Sequence, residues 1–304
     1  MLTIMCREIV IEVSKSLNNK DKVMLSMSSR DMNDLKKGFR FDEIIDLNII
    51  RNLSYFDNFE NVRLTSTYDV VLPQYTKSVH YTFSPPYSLN FVSDIARKKI
   101  IQSWIPPIIT HLVYDCENTS LMSGDIPLSV SHLTFGDNFN DDIAGRVPSS
   151  VTYLKFGKRF NHPIQNSISS SVTHLIFGDY FNQPIEDSIP PYVIYLRFGA
   201  HFNQPIKDCI PRSVTHLIFG WKFDQSIDNC VPNTVTHLVF GDSFDQPIEN
   251  DLPNSVTHLV INNRNIKVSQ DELLSIILRR YCLPSSIVDL CIVNYINAVR
   301  YHFT

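Results

Sequence analysis

Ser171-Val172-Thr173-His174-Leu175-Ile176-Phe177-Gly178-Asp179-Tyr180-Phe181-Asn182-Gln183-Pro184-Ile185-Glu186-Asp187-Ser188-Ile189-Pro190 is one unit of a pattern that returns every 21 residues. Val130, Val151, Val172, Val193, Val214, Val235 and Val256 mark the period. Three residues after each comes leucine, from Leu133 to Leu259. Two further on stand Phe135, Phe156, Phe177, Phe198, Phe219 and Phe240, with Ile261 in the last copy. Glycine follows each of these six phenylalanines, which uses six of the nine glycines in the chain. Then come a second phenylalanine, Asn or Asp, and a Gln-Pro-Ile step or a variant of it. Ile109-Thr110-His111-Leu112 opens an earlier copy, so eight starts align without a gap.

A fixed period of this length marks a solenoid. Leu-x-Phe alternation makes a short strand with both apolar side chains on one face. Glycine ends that strand where a positive φ or a close backbone approach is needed. The second phenylalanine and the isoleucines turn back into the interior, and proline fixes the return path. One coil cannot bury its apolar face alone, so the coils must stack. The pattern predicts parallel strands about 4.8 Å apart, or roughly 35–40 Å of sheet over eight rungs. The Asn/Asp column, from Asn140 to Asp245, is read as a turn device that bonds the backbone of its own or the next coil.

Outside the array the pattern loosens. Phe59-x-x-Val62-x-Leu64 and Ser78-x-x-Tyr81-x-Phe83 are weaker copies. Ser93 caps a predicted helix through Ser103 with Ile95, Ile100 and Ile101 as apolar positions. Downstream, Ser269-Gln270-Asp271-Glu272 opens a predicted helix, and Leu290 and Ile292 restart the repeat as a capping rung. Residues 1–45 predict three short helices, marked by Ile9, Val13 and Leu17, by Lys22 to Ser28 with Asp21 as cap, and by Met32 and Leu35. The chain thus divides into 1–45, a helical unit; 46–105, degenerate repeats with an inserted helix; 106–262, the regular array; and 263–304, a helix and capping rung.

Among 304 residues, 43% are hydrophobic and 19% charged, which suits a folded chain. The net charge of -4 and the lack of a long Lys/Arg run exclude a nucleic-acid partner. No secretory signal and no run of membrane-spanning length is visible, so a cytoplasmic chain with no membrane partner is expected. The six cysteines show no zinc spacing. Cys209 and Cys230 share a column with Ser167 and Ser188, which reads as a stack of small residues; a disulfide there is disfavoured in a reducing compartment. No serine elbow, phosphate loop, paired-carboxylate or HExxH pattern is present, so no catalytic residue, metal or cofactor is expected.

If leucine and phenylalanine point inward, their strand neighbours point outward. One outward column holds His111, His132, Tyr153, His174, Tyr195, His216, His237 and His258. The other holds Val113, Thr134, Lys155, Ile176, Arg197, Ile218, Val239 and Val260. From His132 to His258 and from Lys155 to Val239 these columns are the candidate partner-binding residues. The competing reading is that the rings stabilise the ladder by stacking, and the two readings are compatible. Zinc shared by His216, His237 and His258 is disfavoured, because rings about 4.8 Å apart do not converge on a metal at ~2.1 Å.

The array resembles the FNIP repeat, a relative of the leucine-rich repeat, on Phe181-Asn182-Gln183-Pro184-Ile185, Phe202-Asn203-Gln204-Pro205-Ile206 and Ser213 to Gly220. Such proteins are typical of social amoebae and of giant viruses that infect amoebae. The resemblance implies a curved solenoid with its strands, and hence a protein target, on the concave side. One departure concerns the turn: the asparagine lies two positions later than in leucine-rich repeats, whose site holds Asn138, Arg159, Tyr180, His201, Lys222 and Ser243 here. The N-terminus resembles a divergent F-box in Met5-Cys6-Arg7-Glu8-Ile9-Val10 and in Asp21 to Arg30, with Cys6 where that motif has proline. This likeness implies docking to a Skp-type adaptor of a cullin-RING ubiquitin ligase through Met5, Glu8, Ile9, Val10, Val23 and Leu25. A helical cap over the first rungs, in a plain interaction scaffold, is the alternative. A monomer outside its complex is expected, in host cytoplasm if the source is viral.

Overall fold

A computed structural model describes residues 4–27, 30–65, 70–84, 92–115, 120–248, 252–262, 283, 285–293 and 298–302. Its strands are β1 (Ile45–Asp46), β2 (Asn61–Leu64), β3 (Ser78–Phe83), β4 (His111–Tyr114), β5 (His132–Phe135), β6 (Tyr153–Lys155), β7 (His174–Ile176), β8 (Tyr195–Arg197), β9 (His216–Ile218), β10 (His237–Phe240), β11 (His258–Asn262), β12 (Asp289–Val293) and β13 (Ala298–His302). They form one sheet in chain order, parallel from β1 to β12, as successive coils of a solenoid must. Register follows the period: Leu175 pairs Leu196, which pairs Leu217, which pairs Leu238. The helices are α1 (Ile4–Ser14), α2 (Asn19–Met27), α3 (Arg30–Leu35), α4 (Leu47–Ile50) and α5 (Asp94–Trp104).

The interior is a double row of phenylalanines. Within a coil the two rings stack, as in Phe177 on Phe181 at 4.0 Å and Phe198 on Phe202 at 3.9 Å between centroids. Between coils Phe177 meets Phe198 at 5.5 Å and Phe181 meets Phe202 at 6.1 Å. Valine, leucine and both phenylalanines of every regular coil are buried, in a core that runs from Leu35 to Leu290. Burying one such ring stabilises by about 1.5–3 kcal/mol, and only the neighbouring coil makes that burial possible.

Polar ladders run beside the core. The Asn161 side-chain oxygen accepts the Asn182 backbone N–H at 2.9 Å and the Gln183 amide at 3.1 Å, and Asn182 repeats the pattern with Asn203 and Gln204. These bonds use only an oxygen acceptor, so Asp224 serves the same step for Asp245 and Gln246. The structural reading of the Asn/Asp column is therefore the observed one. A second ladder escaped the sequence reading. Ser150, Ser171, Ser213, Thr234, Ser255 and Ser286 each donate a side-chain hydroxyl to the valine carbonyl of the coil before, at 2.7–2.9 Å.

Two alternatives for the glycine column are now separated. Its glycines carry no positive φ; an added Cβ at Gly157, Gly178, Gly199, Gly220 or Gly241 would lie 1.8–2.0 Å from the preceding glycine's carbonyl oxygen. Close backbone approach is the reason for the column. Positive φ instead occurs in another column: Gly124, Gly145, Asn166, Asp187, Asp208 and Asn229. Glycine, Asn and Asp tolerate the left-handed region, which explains that mixture.

The flanks differ in detail from expectation. Both weaker copies are rungs, but Leu64, not Val62, pairs with Tyr81 and so shares the leucine column. A slip of two residues keeps the same side chains inward, which is why the pattern hid it. β1 adds a further rung, and Phe41 bridges Phe59 ahead of it. Ser93 caps α5 as expected, accepting from the Ala96 N–H at 3.4 Å. Ile95, however, is exposed, and Ile101 and Ile105 are the buried positions there. Asn18, not Asp21, caps α2, accepting the Asp21 N–H at 2.8 Å. The predicted helix from Ser269 lies outside the described residues. Leu290 and Ile292 pair with Leu259 and Ile261 as the capping rung, and β13 closes on β12 antiparallel, a strand the repeat did not announce.

Candidate functional site

Strand alternation places the ring column on the outer surface of the sheet, with the core leucine between the two outward positions. His80 joins the column ahead of His111, in register. His80 meets His111 at a tilt, 4.2 Å between centroids, and His111 stacks on His132 at 4.0 Å. Tyr153, His174 and Tyr195 continue at 5.3–6.2 Å, and His216, His237 and His258 close it at 4.2 Å per step. His80 was missed because its copy of the repeat is degenerate; its signal was Tyr81-x-Phe83 beside it.

A hydroxyl before each histidine of the column from His111 onward fixes the ring, whereas His80 is met through Nε2 by Ser78 Oγ at 2.8 Å. Thr173, Thr236 and Thr257 donate to the carbonyl of the preceding coil at 3.1–3.3 Å. The same oxygens lie 2.9–3.0 Å from Nδ1 of His174, His237 and His258. Each hydroxyl has one proton, and it is spent on the carbonyl, so the network assigns a proton to Nδ1. Nε2 is left at the free edge of the ring. Thr110 with His111, Ser131 with His132, and Thr215 with His216 repeat the arrangement.

The ladder resists charge. Burial holds the His111 pKa down to about 4, and the neighbouring His132 and His80 add to the effect. His80, His132 and His237 are lowered as well, in each case chiefly by burial. Stacked rings with parallel edges do not converge on one ion, and among the described residues no group of three or more His, Cys, Asp or Glu is placed to hold a metal. Cys209 and Cys230 are free thiols, each bonded to a carbonyl two residues back, as Ser167 and Ser188 are. They repeat the serine role, as a small-residue stack requires.

The second outward column alternates: Lys155 and Arg197 are exposed, and Ile176 and Ile218, each the next rung on, are half-buried. Val239 is half-buried in the same row. At β8 two ladder residues are replaced: Tyr192 stands at the serine position and Ile194 at the threonine position, and both are exposed. A cavity of about 410 Å³ opens on the same face over β2 to β6, lined by Arg63, His80, Tyr81, Thr82, His111, Val113, His132, Thr134 and Tyr153 among others.

The six adaptor-docking candidates fall into two groups. Glu8 and Ile9 are exposed on α1, and Met5 lies on that helix too. Val10, Val23 and Leu25 are instead half-buried and packed against the core, because α1 and α2 lean on the first coils. Lys22, itself buried, ties α2 to the solenoid through Asp42 at 2.7 Å and draws the Asp42 pKa down. Among the described side chains of α1 and α2, the apolar ones left exposed are Ile9, Val13, Met24 and Met27.

Among the described residues no helix is long and apolar enough to cross a membrane. No curated protein matches the chain. The FNIP Repeat family model matches residues 118–159, 160–201, 202–243 and 223–264, so that each match spans two coils. Among solved structures, the crystal structure of CroV588, described as a novel circular LRR protein, is similar at 29% identity with a TM-score of 0.60. The similarity covers 83% of this chain and 38% of that one, so the chain spans well under half of that protein's length. With its coils, register and repeat matches in agreement, the chain carries FNIP repeats over residues 118–264 and is a leucine-rich-repeat-like solenoid.

Proposed function

We propose that the protein is a non-catalytic interaction module that binds a protein target on its outward strand face. The observation that carries this reading is the unbroken double column from His111 to His258 and from Val113 to Val260, which stays partly or fully open to solvent along eight successive rungs. Rings, aliphatic side chains and a few cations on rigid strands suit a protein surface, since large side chains held in place lose little entropy on binding. Within that reading the N-terminal helices dock a Skp-type adaptor, making the chain a substrate-recognition subunit of a cullin-RING ligase in the cytoplasm. What supports this is the exposed apolar group Ile9, Val13, Met24 and Met27, which the solenoid leaves uncovered. A plain scaffold is favoured by a different observation: Val10, Val23 and Leu25 pack on the core, as a cap would.

The full chain tests both. Ile176→Glu with Ile218→Glu is expected to abolish capture of target proteins from a host-cell lysate and to leave binding of a purified Skp-type adaptor intact. Ile9→Glu with Met24→Glu is expected to do the reverse. A folded wild-type chain that ignores the adaptor removes the ligase reading and leaves the scaffold; face variants that capture the same proteins as wild type remove the binding face.

A further inference from the structure

The cavity over β2 to β6 has a chemistry of its own. Its one fully charged lining residue is Arg63, which is exposed at its mouth. The imidazoles of His80, His111 and His132, the hydroxyls of Thr82 and Thr134 and the tyrosines Tyr81 and Tyr153 complete the polar lining, and no carboxylate takes part. Along the two outward columns the only carboxylates are at the ends, Asp46 on β1 and Asp289 on β12. Asp46 is engaged as the cap of α4, accepting the Asn48 N–H at 2.8 Å. Arg63, Lys155 and Arg197 lie between those ends, so this face is basic on a chain whose net charge is -4.

Resting on the reading of this face as protein-binding, we propose that the cavity receives an aspartate or glutamate side chain from an extended acidic segment of the partner, with Arg63 as its charge partner and Thr82, Thr134 and Tyr153 as hydroxyl donors. Charge complementarity selects this occupant over a basic one, because a lysine would meet Arg63 and Lys155 with no carboxylate to receive it. It is also selected over nucleic acid. The ring faces are covered by one another at 4.0–5.3 Å, so bases find edges and no stacking platform. Burial holds the Tyr153 phenol above its usual range, which keeps it a donor.

The imidazoles add a pH dependence. Neutral, the free Nε2 edges of His111 and His132 accept hydrogen bonds and offer nothing to a carboxylate; protonated, they donate, whereas Nε2 of His80 already meets Ser78 Oγ at 2.8 Å. What faces them is Arg63 on β2, Tyr81 on β3, Tyr153 and Lys155 on β6 and His174 on β7, with Asp46 beyond Arg63. None of these supplies a free negative charge beside the rings. An arriving carboxylate does, so binding takes up protons and tightens as pH falls.

The probe is a fluorescently labelled octaglutamate peptide, with octaglutamine and octalysine as controls, titrated with the full chain and read by anisotropy. Octaglutamate is expected to bind, about threefold tighter near pH 6 than near pH 7.5, and the controls are not. Arg63→Gln is expected to weaken it about tenfold and Arg63→Lys to restore part of that, whereas Lys207→Gln, a charge removed from the loop side, changes nothing. Should Arg63→Gln unfold, Thr134→Val, with its smaller expected loss, reads the same site. Equal binding of octaglutamine, an equal loss with Lys207→Gln, or full displacement by inorganic phosphate at matched charge each overturns the proposal. So does absence of octaglutamate binding; in that case target capture that still depends on Ile176 and Ile218 leaves the protein-binding face standing.

Discussion

At Gly199 an added methyl group would sit 1.9 Å from the carbonyl oxygen of Gly178, inside any tolerated contact, and that oxygen belongs to backbone held by its own coil. The substitution Gly199→Ala therefore pushes two coils apart and is expected to cost about 3 kcal/mol, measured as a fall in the urea midpoint. A loss below about 0.5 kcal/mol would show that the coils do not approach as closely as this. The glycine column was legible in the sequence, but its cause was not: a repeat of glycine is equally compatible with positive φ. Asn166, Asp187, Asp208 and Asn229 carry the positive φ, and as surface Asn and Asp they blended into ordinary turn composition. The serine ladder was hidden for a similar reason. A hydroxyl one residue before an invariant valine has no meaning until the valine carbonyl of the coil before is known to lie 2.7–2.9 Å away.

Among the elements, the ring ladder carries a stability that depends on pH. His111 is held near pKa 4 in the fold and titrates near 6.5 when unfolded. The unfolded chain thus binds more protons between those values, and stability falls as pH drops from about 6.5 towards 4. His80, His132 and His237 shift in the same direction and add to the slope. His111→Gln is expected to flatten the dependence of the urea midpoint on pH across that window, while Lys207→Gln leaves it unchanged. An unaltered slope in His111→Gln would place the acid sensitivity elsewhere. At the ends of the array the elements depart from the repeat for packing reasons. Ile95 reads as a helix core position but faces solvent, because α5 docks through Ile101 and the residues after it, and Ile105 is buried where the coil resumes. Val10, Val23 and Leu25 read as docking residues but lean on the solenoid, which uses the inner side of α1 and α2 and leaves Ile9, Val13, Met24 and Met27 outside.

For the whole molecule, equal coil length is the property that every ladder shares. Deleting residues 192–212, one full period, joins Pro191 to Ser213 in phase and is expected to leave a folded solenoid one rung shorter. Deleting 192–211 leaves the chain one residue out of phase, turns the inward set of the following strand outward, and is expected to abolish the cooperative thermal transition. Similar melting of the two deletions would contradict a register set by period. The 21-residue period, the inward valine, leucine and phenylalanine columns and the two outward columns were determined by the sequence alone, because stacked coils place residues one period apart against each other. Tertiary structure alone decided the two-residue slip at β2, the antiparallel β13, and the cavity that joins Arg63 to three imidazoles. Those features come from degenerate coils, where residues distant in the chain meet through packing and no period announces which will be neighbours.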